Sequence, residues 1–171
     1  TYGEHREFLE FSLEQHKELQ SYCCNIGIEY STSVWDITSA KEIISINPNV
    51  IKVPSATNTN FNLLETLRDD YKGEIHISLG MTSYEEEKQI MDLFVNSNSK
   101  VVIYSCTSGY PVKFNEVCLL EIKRLISEYK ENIFGFGFSG HHLGIAIDNS
   151  AYTLGATWIE RHFTKDRTWK G

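Results

Sequence analysis

Apolar residues along this chain gather in six short runs, at 28–33, 50–55, 75–78, 101–108, 134–142 and 157–164. Each run ends in small polar or ionisable side chains, and between runs the pattern turns helical. Strands built from such runs, alternating with helices at this spacing, form parallel sheets in which every strand end meets the same face. The first helix is expected over 7–24, where Phe8, Phe11, Leu19, Tyr22 and Cys23 fall at helical spacings, with Gly27 ending it. Further helices are expected at 40–46, introduced by Asp36 and Ser39 and closed by Asn47 and Pro48, and then at 60–71, 82–96, 115–130 and 148–154. Thr82 or Ser83 ahead of Glu85, Glu86 and Glu87 suits a helix start, by capping and by the dipole.

Two architectures accept this series, a doubly wound open sheet and part of an eightfold barrel. The open sheet calls for a glycine-rich phosphate loop, and Gly135 and Gly137 lie within an apolar run with no GxGxxG continuation. Reactive residues at every strand end favour a partial (β/α)8 TIM barrel, because such barrels draw their catalytic groups from several strands at one mouth. Six strands do not close that barrel. The expectation is one incomplete (β/α)8 domain over 1–171, with two strands missing.

Composition narrows the function. A chain of 171 residues, 41% hydrophobic and 23% charged, has the makeup of a globular domain. Its formal net charge of -7 argues against nucleic acid as a partner, and no apolar run is long enough for a bilayer. A cytoplasmic, soluble protein is expected. Cys23, Cys24, Cys106 and Cys118 include no CxxC pair, so they read as structural thiols. Cys106 alternates out of phase with Ser105 and Thr107 and is expected to pack behind the sheet.

The mouth of the barrel would collect Ser33, Lys52, Ser55, Ser78, Thr107, Ser108, Ser139, His141 and His162. Lys52 lies inside a strand, where a lysine must meet an anion or lose its charge. Three readings compete: a structural ion pair, a Schiff-base nucleophile, and a ligand for a substrate phosphate or carboxylate. The ring of serines favours the last, being short donors for many oxygens. His141 and His162 end consecutive strands and can converge on one divalent ion whose other positions go to water and substrate. The competing role is a general acid or a hydrogen-bonded core histidine. His142 points the opposite way, and His76 reads as a neutral interior imidazole. Tyr110 would lie over the mouth with its hydroxyl toward a polyol. Glu160 shares the parity of His162 and would support the site, while Asp166 is expected to hold an Arg or Lys of its own loop.

The segments TYGEHR, SVWD, IKVPSATNTN, ISLGM, CTSGYP, FSGHHLGI, LGATWIERHFT and DRTWKG, in this order, resemble the N-acetylneuraminate (sialic acid) synthase family along the whole chain. The resemblance implies condensation of phosphoenolpyruvate with an N-acetylated hexose, N-acetylmannosamine or similar, to give a nonulosonic acid and phosphate. It implies a divalent metal, Mn2+ with Mg2+ or Co2+ as alternatives, and a homodimer in the full-length form. By the same resemblance the chain holds barrel strands three to eight and lacks the first two strands and a C-terminal antifreeze-like domain. Ser33, Lys52, Ser55, Ser78, Ser108 and Ser139 would contact phosphoenolpyruvate, Tyr110 the sugar side, and His141 with His162 the metal. Catalysis would rest on Lys52, His141 and His162.

The chain departs from the family's pattern in three places. Pro54, Ala56 and Thr57 stand in the K-x-G-S-G-(D/E) element, Gly140 stands where an aspartate commonly precedes the first metal histidine, and Ser108 replaces a common Asn. The sugar stays open among the sialic, legionaminic and pseudaminic acid precursors. A Schiff-base aldolase using Lys52, and a non-catalytic barrel fragment with a binding role only, are the alternatives to a synthase.

Overall fold

A computed structural model describes residues 2–169. The ends of the first and last family-like segments, Thr1, Lys170 and Gly171, lie outside the described residues. Strands β1 (Ser31–Ser33), β2 (Val50–Val53), β3 (Glu74–Ser78), β4 (Lys100–Cys106), β5 (Gly135–Gly140) and β6 (Trp158–Arg161) form one parallel sheet whose spatial order is the chain order. Helices α1 (Tyr2–Leu9) and α2 (Leu13–Asn25) precede it, and α3 (Ile37–Ile46), α4 (Phe61–Asp70), α5 (Tyr84–Phe94), α6 (Glu121–Tyr129) and α7 (Ala146–Thr153) connect successive strands.

Alternation along the strands divides the residues between two faces. Ile51, Val53, Ile75, Ile77, Val101 and Ile103 point to the outer face, where they pack against Ala40 and Ile43 of α3, Leu63, Leu64 and Leu67 of α4, and Ile90, Met91 and Phe94 of α5. Each such side chain contributes roughly 1.5–3 kcal/mol on burial. A second, smaller cluster of Ile122, Phe138, Ala151 and Ala156 seats α6 and α7.

The inner face is polar and aromatic. Register sets Lys52, His76, Val102 and Gly135 in one row, Ser78, Tyr104, Gly137 and Trp158 in the next, and Cys106, Ser139 and Glu160 in the last. The glycine row positions make room for rings: a Cβ on Gly137 would stand 2.5 Å from Tyr104 and 3.1 Å from Trp158. The sheet curls around these groups. Strands β2 and β6 are four steps apart, about 19 Å in a flat sheet, yet Lys52 Nζ lies 3.4 Å from a Glu160 carboxylate oxygen. The fold is thus α/β with a half-barrel sheet.

Three capping boxes account for the sharpest helix starts. Ser12 with Gln15, Asp36 with Ser39 and Ser83 with Glu86 each exchange side-chain and backbone bonds across the first turn. Asn47, in the left-handed conformation at φ 48°, ends α3. Several boundaries differ from the sequence reading. The expected helix over 7–24 is two helices, because Ser12 starts a fresh cap, and its expected apolar face is exposed at Phe8, Phe11 and Tyr22. Strand β1 begins at Ser31 rather than 28. The helix expected from 115 is a short 3-10 turn, Phe114–Glu116, then extended Val117, with α6 beginning only at Glu121. Asp166 binds Thr168 through its side chain and not a basic partner among the described residues. No helix among the described residues is long and apolar enough to cross a membrane.

Candidate active site

The C-terminal ends of the strands open onto a cleft of about 1050 Å3. Ser33, Lys52, Ser55, Ser78, Ser108, Tyr110, Ser139, His141 and His162 all line it, together with Trp35, Met81, Cys106, Glu160 and Arg161. Residues spread over 130 positions of chain are assembled here by parallel strands that all end at one level.

Lys52 is buried, and its ammonium donates to Ser78 Oγ at 2.5 Å and faces Glu160 at 3.4 Å. Burial lowers its pKa, and the Glu160 carboxylate works in the opposite direction. Glu160 is fixed in turn by Ser139, whose hydroxyl donates to it at 2.7 Å. Beneath this group, His76 bonds the Tyr104 hydroxyl at 2.7 Å and Glu74 at 3.3 Å, with its edge toward Trp158. Burial holds its pKa below the ordinary value, as expected of a neutral interior imidazole.

A second cluster surrounds Gly80, just past β3. The Gly80 amide donates to Ser55 Oγ at 3.1 Å. A Cβ at Gly80 would lie 2.5 Å from Ser108 Oγ, 2.6 Å from Ser55 Oγ and 3.0 Å from Cys106 Sγ, so three small donors converge on a space that only glycine leaves open. Asn58 braces this cradle from below: buried, it donates to the carbonyls of Ser78 and Gly80 and to Thr82 Oγ1. Cys106 therefore does not pack behind the sheet. Its row mates on the inner face are Ser139 and Glu160, and Ser105 is the residue turned to the helices. The strand runs on through Cys106, so its alternation carries Cys106 inward with Tyr104, and only Thr107 leaves the pleat. Burial opposes the Cys106 thiolate, and hydrogen bonds with His141 and Ser55 outweigh it, leaving the thiol pKa lowered.

His141 and His162 come together at the rim with ring centroids 5.3 Å apart, and Tyr110 covers both at 4.3 and 5.7 Å. His141 Nδ1 donates to the Thr107 carbonyl at 3.0 Å, which fixes the tautomer and the ring. The hydrogen bond with Cys106 raises the His141 pKa. Among the described residues no group of three or more His, Cys, Asp or Glu side chains is arranged to hold a metal ion. A donor set of two imidazoles fits a divalent ion only if water and substrate oxygens complete it.

Behind the rim, Arg161 binds the His142 and Gly144 carbonyls, His142 Nε2 and the Asp148 carboxylate. It ties the segment after His141 to the strand that leads into His162. Glu160 was anticipated by its parity; Gly80, Asn58 and Arg161 were not. The ISLGM segment was the signal for Gly80, whereas nothing in the chain marked Asn58 apart from other loop asparagines.

Comparison with known proteins adds a family to this geometry. The NeuB family model matches residues 1–171. The chain is 40% identical over 173 residues to an N-acetylneuraminate-9-phosphate synthase of Mus musculus, covering 100% of this chain and 47% of that protein. It is 31% identical over 166 residues to an N,N'-diacetyllegionaminic acid synthase of Campylobacter jejuni, covering 95% of this chain and 48% of the relative. A crystal structure of the N-acetylneuraminic acid synthetase of Leptospira borgpetersenii in complex with citrate superposes with a TM-score of 0.87 at 28% identity, over 93% of this chain and 54% of that one. The chain spans about half the length of the curated relatives it matches.

Proposed function

The chain belongs to the NeuB family, and from that premise we propose that its cleft condenses phosphoenolpyruvate with an N-acetylated hexose to give a sialic or related nonulosonic acid and phosphate. In this reading the strands are the third to eighth of a (β/α)8 barrel. The observation that carries the reading is the convergence of a buried lysine, five serines and two histidines from six strand ends on one cleft.

Phosphoenolpyruvate brings a phosphate and a carboxylate. Lys52 is the cation placed to meet one of them, with Ser78 already at hydrogen-bond distance. Ser55, Ser108 and the Gly80 cradle offer neutral donors to the other oxygens. Fixed donors of this kind hold the enol in place for attack by C3 on an aldehyde, and then stabilise the charge that moves to phosphate as water adds at C2 and the C–O bond breaks. His141 and His162 sit at the rim, where the sugar would enter under Tyr110. A divalent cation held there by the two imidazoles would supply polarisation of the sugar carbonyl. The sugar itself stays at the level of an N-acetylated hexose, since relatives named for different nonulosonic acids match the chain.

The lowered pKa of Lys52 favours a second reading, a Schiff-base aldolase. Incubating the intact protein with both substrates and measuring phosphate release tests the synthase. Release that requires the sugar supports it; borohydride-trapped substrate on Lys52 without phosphate release would replace it with the aldolase.

A further inference from the structure

The condensing reading above gives Lys52 an anion to bind but assigns nothing to the anion it already has. Glu160 reaches Lys52 from the far side of the curled sheet, at 3.4 Å, while its other oxygen accepts from Ser139. The contact is not a surface ion pair, because the Lys52 side chain is 9% exposed and Glu160 is 41% exposed toward the cleft. Among the described residues, the further hydrogen-bond partners of Lys52 are the Ser78 hydroxyl and the Val53 carbonyl. Neither carries charge. A buried ammonium with neutral partners alone would lose its proton or turn away.

We propose that Glu160 is a resident counter-anion: it keeps Lys52 charged and aimed into the cleft, and it yields the lysine to the phosphate or carboxylate of the incoming substrate. The geometry suits exchange. Ser139 holds one Glu160 oxygen in place after the lysine has moved, and Ser78 steers the ammonium on the opposite side. Glu160 then acts as a specificity filter, since it repels any anion that cannot also recruit the serine donors. A competing carboxylate weakens anion binding in exchange for a lysine that is already in position.

The test is inorganic phosphate binding by calorimetry to the intact protein and to Glu160→Gln and Lys52→Gln variants. Glu160→Gln keeps size and the acceptor for Ser139 and removes the charge. It should bind phosphate about tenfold more tightly than the parent, while Lys52→Gln should lose binding. Phosphate should also raise the melting temperature of Glu160→Gln more than that of the parent, which guards against a variant that is merely less stable. If Lys52→Gln loses phosphate but Glu160→Gln binds it equally or less tightly, the counter-anion role is overturned and the anion reading of the cleft survives. If Lys52→Gln binds phosphate as the parent does, both fall together.

Discussion

Lys52 and Ser78 sit in adjacent strands and share a 2.5 Å hydrogen bond, although the register pairs Lys52 with His76, two residues earlier. The lysine side chain therefore leans along the barrel axis toward the cleft rather than straight across, and its charge arrives where the serines are. Replacing Lys52 with Ala should weaken phosphoenolpyruvate binding roughly 10- to 150-fold, about 1.5 to 3 kcal/mol for one charge-assisted contact. Equilibrium binding on the folded variant checks it, and unchanged affinity would place the anion elsewhere.

Gly80 can be tested without disturbing charge. Its backbone is not in the left-handed region, so alanine is conformationally acceptable, but the added methyl would meet Ser55, Ser108 and Cys106 at 2.5 to 3.0 Å. These flexible tips can rotate away, at the expense of the cradle. Gly80→Ala should melt within a few degrees of the parent, yet bind phosphoenolpyruvate at least about tenfold more weakly. Near-parental affinity would show that no substrate oxygen enters that space.

The rim histidines predict a metal requirement. Exhaustive chelation should abolish sugar-dependent phosphate release, and Mn2+ should restore it. His141→Ala and His162→Ala should each lower Mn2+ affinity in a direct binding titration. Full turnover after metal removal would end the metal role.

His76 gives a pH dependence with a defined sign. Burial holds its folded-state pKa below 6.5, against the pull of Glu74 and Glu160 and with the push of Lys52, while the Tyr104 hydroxyl bonds its ring. The unfolded chain then binds the proton more readily. This contribution to stability is fully present above pH 6.5 and is lost as pH falls through the folded-state pKa. Urea unfolding between pH 5 and 8 should show a steeper acid-side decline for the parent than for His76→Gln. Parallel curves would mean the imidazole is not desolvated.

The strand order and most of the cleft were legible because parallel alternation is a local code: six runs, one polar cluster after each, and eight of the nine residues expected at the mouth, all but Thr107, lining one cavity with Tyr110. Lys52 stood out as a charge inside an apolar strand. The misreadings share a cause, in that they depended on where a pleat or helix stops. Cys106 reads as outward when Thr107 is counted in the pleat, whereas the strand ends at Cys106 itself, and α6 reads as starting too early because 114–120 has the composition of a helix but extended backbone at Val117. Asn58 and Arg161 act in large part through backbone carbonyls, which leave no trace in side-chain pattern.

Because sheet order follows chain order, every strand pair is joined by a connection local in sequence, with the longest register separation running from Val102 to Gly135. Each strand can dock on its predecessor as soon as the intervening helix forms. The bridge from Lys52 to Glu160 is different, for it closes a loop of 108 residues. Loop-closure entropy for that contact exceeds that of a 26-residue strand-to-strand step by about 1.3 kcal/mol. It forms only once the intervening strands have curled into place. On this entropic ground the mouth of the cleft is expected to order late in folding and to open early in native-state fluctuations, while the outer sheet face beneath the helices stays closed.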